Sequence, residues 1–232
     1  MLDIKKKERV WEIDFLRGLL ILYMILMHLL YDLYYLYNIN INYEGGILAL
    51  SRVLFSPLFI IVSGISTAFS RNSFKRGFMV FLVAMGITCV TYIMDKEVFI
   101  VFGILHFLGV WMMISPILKK LSNSLLMAMS GVFMIISIIM PNIKVTHNYL
   151  FILGFYNSSF QSLDYYPLLE YAWAFLLGMW LSRILYKEKK SIFSFTIKSR
   201  FVNFIGRNSL YVYVIHQPVI LLLLESIMRI IR

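Results

Sequence analysis

Seven apolar runs constrain this chain more than any other feature. They lie at roughly 14–37, 49–70, 78–94, 98–118, 123–140, 166–186 and 204–228. A helix needs about 20 residues to cross a bilayer, and the runs at 78–94 and 123–140 are the short ones. Lipid offers no partner to an exposed backbone N–H or C=O, so only helices or closed barrels cross it. None of the runs alternates with the period of two that a barrel strand requires. The expectation is an all-α, polytopic integral-membrane bundle of about seven transmembrane helices, folded as a single domain over residues 1–232. Composition agrees. Sixty per cent of the residues are hydrophobic and 15% are charged, against about 25% charged in a soluble domain. A soluble fold of this size has too little polar surface here, and a disordered chain would be far less apolar. Cys89 is the only cysteine, so no disulfide forms, and it reads as a small core residue.

The first run follows Lys5, Lys6, Lys7 and Arg9, as a signal peptide would. It is too long, however, and ends in Tyr31-Asp32-Leu33-Tyr34-Tyr35 without a small-residue cleavage site, so it reads as a retained span. Lysine and arginine total 22 against 12 acids, a net charge of +10. Sixteen of the 22 fall on one side of the expected spans, including the N-terminus, Arg71, Lys75, Arg76 and the connection after Arg183. Four fall on the other side (Lys96, Lys144, Arg229, Arg232), and Arg17 and Arg52 lie within spans. The positive-inside rule then puts the N-terminus in the cytoplasm and the C-terminus outside, in a multi-pass protein of the cell membrane. The excess charge is topology, and no nucleic-acid partner is expected.

Ionisable side chains inside a span are expensive, and each marks a candidate site. The first run carries Asp14, Arg17, His28 and Asp32. Asp32 is 18 positions from Asp14, five whole turns, while Arg17 and His28 lie about 60° and 40° to one side. The four share one narrow face, which must line a protein interior or a water-filled cavity. Counted by helical rise, His28 is about 16 Å beyond Arg17. A rise counted from Val98 brings His106 to a similar depth, about 12 Å below the outer surface. For both histidines the alternative is a polar group satisfied between helices. His216 precedes Gln217-Pro218, where the proline frees the carbonyl of Val214, so a local hydrogen bond at a kink stands beside a site role. His147 reads as solvated. Small residues in Ser63-Gly64-Ile65-Ser66-Thr67 read as close helix packing. Arg71, Lys75 and Arg76 are open between topology charge and a phosphate clamp. No HExxH or CxxC is present, so no metal is expected. The seventh run has no lysine for a Schiff base, which disfavours retinal.

Several blocks resemble a known family. Trp11-Glu12-Ile13-Asp14-Phe15-Leu16-Arg17-Gly18 with His28 and Asp32 is similar to the opening of the bacterial branch of the heparan-alpha-glucosaminide N-acetyltransferase catalytic-domain family. So is Phe59-Ile60-Ile61-Val62-Ser63-Gly64-Ile65-Ser66, with Ser70 to Gly77 after it. Phe102 to Gly109, Asp164 to Leu169, and Gly206-Arg207-Asn208-Ser209-Leu210 running to His216-Gln217-Pro218 complete the resemblance, which covers nearly the whole chain in order. The Arg17–His28 pair also resembles the arginine–histidine signature of the wider acyltransferase-three type.

The resemblance implies transfer of an acetyl group from cytosolic acetyl-CoA to a hydroxyl or amine of an outward-facing sugar or amino sugar. It implies His28, His106, Asp32 and Asp14 as catalytic candidates. Arg17, Arg71, Lys75, Arg76, Ser63 and Arg207 would hold the CoA donor. Arg52, Asp164, Tyr165, His216 and Gln217 would face the glycan or small-molecule acceptor. Membrane lipid is the surrounding partner, and a homodimer follows by family analogy alone. One departure stands out. In eukaryotic members the position of His28 is an asparagine, and the catalytic histidine lies in the next outer loop. Here that loop, residues 38–48, holds Asn38, Asn40, Asn42 and Glu44 but no histidine. The alternative function is a small-solute or proton-coupled transporter using the polar stripe.

Overall fold

The computed structural model describes residues 10–187, 190–197 and 199–231. Lys5, Lys6, Lys7, Arg9, Lys189, Lys198 and Arg232, which enter the charge count above, lie outside the described residues. Eight α-helices follow one another: α1 (Trp11–Tyr35), α2 (Gly46–Phe69), α3 (Ser73–Met94), α4 (Ile104–Leu118), α5 (Asn123–Ile139), α6 (Ala172–Leu185), α7 (Arg200–Arg207) and α8 (Ser209–Ile231). No strand forms among the described residues. Five helical segments, Trp11–Tyr35, Gly46–Phe69, Ser73–Met94, Asn123–Asn142 and Ser209–Ile230, are long and apolar enough to cross a membrane. Two apolar helices, α4 and α6, are shorter. Large aliphatic side chains such as Val53, Leu82, Ile93, Ile135 and Leu222 are exposed along these helices. Apolar faces of that extent are stable in lipid and costly in water.

Three runs differ from their expected helices, each for a local reason. The helix in 98–118 begins only at Ile104. Before it the chain is extended: Val101 N–H donates to Ser162 Oγ (3.1 Å) and Tyr166 N–H to the Phe102 carbonyl (2.9 Å). The helix in 166–186 begins at Ala172, because residues 166–168 are committed to those loop bonds, including Leu168 N–H to Ile152 O at 2.8 Å. The run 204–228 is cut at Asn208, whose N–H closes the end of α7 on Phe204 and Ile205. Cys89 is exposed on α3, a correction to its reading as a core residue.

The backbone divides into two compact units, residues 1–59 with 188–232, and residues 60–187; α2 runs through the division. In the first unit, α7 lies against the start of α1. A β-carbon on Gly206 would sit 1.8 Å from the Asp14 carbonyl oxygen, and one on Gly18 would sit 2.1 Å from that of Val202. Only glycine permits this approach. In the second unit, α2 crosses α6 at Gly64 and Gly178, where a β-carbon would meet the Phe175 or Ile61 carbonyl at 2.4 or 2.2 Å. This is the close packing that the small residues around Ser63 promise. Ser130 Oγ ties α5 to α6 through the Trp173 carbonyl (2.9 Å). Arg183 clamps the end of α4, donating to the carbonyls of Leu118, Lys119 and Leu121, where unpaired carbonyls attract a cation.

Candidate functional site

The stripe on α1 is matched at its two ends by two other elements of the first unit. Near the N-terminal end, Asp14 is 9% exposed. Its Oδ2 accepts from Arg207 Nε at 3.3 Å, and Arg17 Nη1 lies 3.8 Å from its Oδ1. Arg17 Nη1 also donates to the Gly206 carbonyl at 3.2 Å. Two guanidinium groups thus meet one carboxylate, and the Arg207 side chain is half-exposed. Eleven residues further along α1, about 16 Å by helical rise, lies the second layer.

There Asp32, 2% exposed, accepts both hydrogen bonds from Gln217 Nε2, at 2.9 and 3.1 Å. A carboxylate can only accept, so the Gln217 amide is oriented with its oxygen away from Asp32. That Oε1 is buried without a partner among the described residues. His28 stands one turn before Asp32. Its Nδ1 is 2.9 Å from the Met24 carbonyl. A carbonyl cannot donate, so Nδ1 carries the proton and Nε2 holds the lone pair. His216 of α8 meets His28 edge to face, ring centroids 4.8 Å apart. It is bonded through Nδ1 to the Tyr213 carbonyl, so it takes the same tautomer, and its buried Nε2 has no partner among the described residues. Pro218 lies inside α8, directly after His216 and Gln217.

Arg52, also in the first unit, stacks its guanidinium 4.2 Å over the Tyr43 ring, a cation–π contact near the end of α1. Tyr43 in turn lies in a cluster with Tyr31, Tyr34 and Tyr35.

In the second unit His106 is bonded quite differently. It occupies the first turn of α4, so the rise counted from Val98 does not apply to it. Gly103 N–H donates to its Nδ1 at 3.1 Å. Nδ1 is therefore the acceptor and Nε2 carries the proton, donating to Thr88 Oγ1 at 3.2 Å. Thr88 passes its own proton to the Ile100 carbonyl at 2.7 Å. Both ring nitrogens are taken, Nδ1 by the cap of α4 and Nε2 by Thr88 of α3. Asp164 Oδ2 joins that cap by accepting from Ile104 N–H at 3.0 Å. Tyr165 donates to the Phe151 carbonyl, and burial pushes its phenol well above the usual range. Both residues thus build the loop before α6. Arg71, Lys75 and Arg76 are exposed around the start of α3, and Ser63 lies within the α2 segment that packs on α6.

Sequence reasoning passed over Glu12, Thr88 and the clamp made by Arg183. Glu12 is buried, and its Oε1 accepts from Ile192 N–H at 2.8 Å. It falls two residues before the apolar run as bounded, although it sits inside the Trp11–Gly18 block. Thr88 is 18 residues from His106 and carries no local signal. Among the described residues no group of three or more His, Cys, Asp or Glu is gathered to hold a metal ion.

The fold and the site define a membrane-embedded helical protein with a histidine–carboxylate centre and a basic layer at one end of its first helix. Residues 9–218 match the model of the family described as heparan-alpha-glucosaminide N-acetyltransferase, catalytic, and the chain belongs to that family. No curated protein and no solved structure matches the chain. Membership makes the protein a membrane acetyltransferase.

Proposed function

We propose that this protein moves an acetyl group from cytosolic acetyl-CoA to a hydroxyl or amine of an outward-facing sugar or amino sugar, with His28 as the base. The supporting observation is the His28 tautomer. Its Nδ1 proton is held by the Met24 carbonyl, so Nε2 carries the lone pair, on a ring that meets His216 edge to face. Acetyl-CoA supplies an activated thioester when bound. His28 Nε2 takes the proton from the acceptor's O–H or N–H as that group attacks, and then returns it to the departing sulfur. Asp32, one turn on, stabilises the imidazolium that forms between these steps. Gln217 holds the Asp32 carboxylate in place, which makes Asp32 and Gln217 positioning residues. His216 Nε2 and Gln217 Oε1 are unpaired acceptors that suit an acceptor rich in O–H and N–H donors.

Arg17 and Arg207 fit the donor's phosphates, because a guanidinium fork gives two hydrogen bonds to one phosphate. Asp14, about 21 Å from His28 along the helix, aligns those two arginines and takes no part in the chemistry. His106, committed to its cap, is a structural residue on this reading.

Calorimetric titration of acetyl-CoA into the purified protein tests the donor site. Saturable binding is expected for the wild type and for His28→Ala, and weakened binding for Arg17→Ala. No binding by folded wild-type protein would overturn the donor assignment.

A further inference from the structure

We propose that residues 190–197 together with α7 form an interfacial strap that docks on the anionic headgroup layer of the membrane, at the leaflet where α1 begins. Three independent observations lead there.

The first is depth. Among the described residues, the strap is fastened to the first two turns of α1. Trp11 Nε1 donates to Ser191 Oγ at 3.1 Å, and Ile192 N–H donates to Glu12 Oε1 at 2.8 Å. The Trp11 ring sits about 6 Å from the rings of both Phe193 and Phe195. Helix α7 then rests its backbone on Asp14 and Gly18 through Gly206 and Val202. The 25 residues of α1 span about 37 Å, longer than the roughly 30 Å hydrocarbon core. Its ends therefore reach the headgroup region, and the strap goes with one of them.

The second is the outward face of α7. Placed at 100° per residue, Arg200, Phe204 and Phe201 fall within one sector of about 100°, while the Arg207 side chain turns to Asp14 of α1. Val202, Ile205 and Gly206 fall opposite, toward α1. Phe201 is 66% and Phe204 62% exposed. Water would disfavour these two rings and hydrocarbon would disfavour Arg200. Only the boundary between acyl chains and headgroups satisfies both. Ile192, Phe193, Phe195 and Ile197 extend the same exposed apolar surface along the strap.

The third is charge. The described residues of the strap include Lys190, Arg200 and Arg207 and no acid. A surface of that sign selects anionic headgroups, at about fivefold in affinity for each basic residue near the membrane.

The test uses the full-length protein in lipid nanodiscs, with Cys89→Ser as background and a spin label at position 204. In discs containing phosphatidylglycerol the label should report the acyl–headgroup boundary, shielded from a water-soluble relaxant. A label fully accessible to that relaxant would overturn the proposal. Native mass spectrometry then counts retained phosphatidylglycerol against phosphatidylcholine. Arg200→Gln should lower the preference about fivefold, and Phe201→Ser with Phe204→Ser should lower retention of both lipids. An unchanged lipid preference in Arg200→Gln would contradict the docking surface. So would a loss of acetyl-CoA binding by Arg200→Gln in lipid-free detergent, because the charge would then belong to the donor site.

Discussion

His28 and His106 are the same residue type, each inside an apolar run, yet the fold uses them in opposite ways. His28 donates from Nδ1 to a carbonyl of its own helix and leaves its other nitrogen with a lone pair. His106 accepts at Nδ1 from the Gly103 N–H and donates from Nε2 to Thr88. The difference follows from place on a helix. In mid-helix the nearby group is a carbonyl one turn back, whose second lone pair can only accept, which forces a proton onto Nδ1. At an N-terminus the nearby free group is an N–H, which forces the proton off it. A histidine's position along its helix thus decides whether it presents a base or a satisfied cap.

The sharpest way to break this contrast is kinetic. His28→Ala should lower kcat for acetyl transfer by about 10²–10⁴-fold, whereas His106→Ala should leave kcat unchanged. Both are read with radiolabelled acetyl-CoA and glucosamine in proteoliposomes. An equal loss in the two variants would erase the distinction. Next comes the basic layer. Gly206→Val should cost about 1–3 kcal/mol by overpacking against Asp14. It should also weaken acetyl-CoA binding by displacing Arg207, seen by thermal unfolding and calorimetry in detergent. Gln217→Leu leaves the buried Asp32 carboxylate without its two donors, at a cost of about 1–3 kcal/mol, with kcat lowered less than in His28→Ala. The smallest effect belongs to His106. His106→Ala should cost about 0.5–2 kcal/mol as a lost cap. His106→Gln should recover part of it, because glutamine at that position reaches back to the same N–H.

Much of this was legible in the sequence, because membrane helices obey two strong rules. Apolar length gave the five long helices, and the 100° step put Asp14, Arg17, His28 and Asp32 on one face. The partners of that face were harder to see. Arg207 and Gln217 lie more than 180 residues from Asp14 and Asp32 in sequence, and no periodicity links them. The tautomers were also hidden, since they depend on which backbone group is nearest. His106 was misplaced in depth because apolar composition continues through 98–103, while the backbone there is taken up by the loop around Asp164 and Tyr166. Hydropathy cannot distinguish an extended apolar segment from a helical one.

The central claim is that His28 presents a lone pair and His106 does not. Nitrogen-15 NMR of the histidine-labelled protein, assigned through His28→Gln and His106→Gln, measures this directly at a pH where both rings are neutral. The account predicts His28 protonated at Nδ1 and His106 protonated at Nε2. Finding His28 protonated at Nε2, with its lone pair turned to the Met24 carbonyl side, would contradict it.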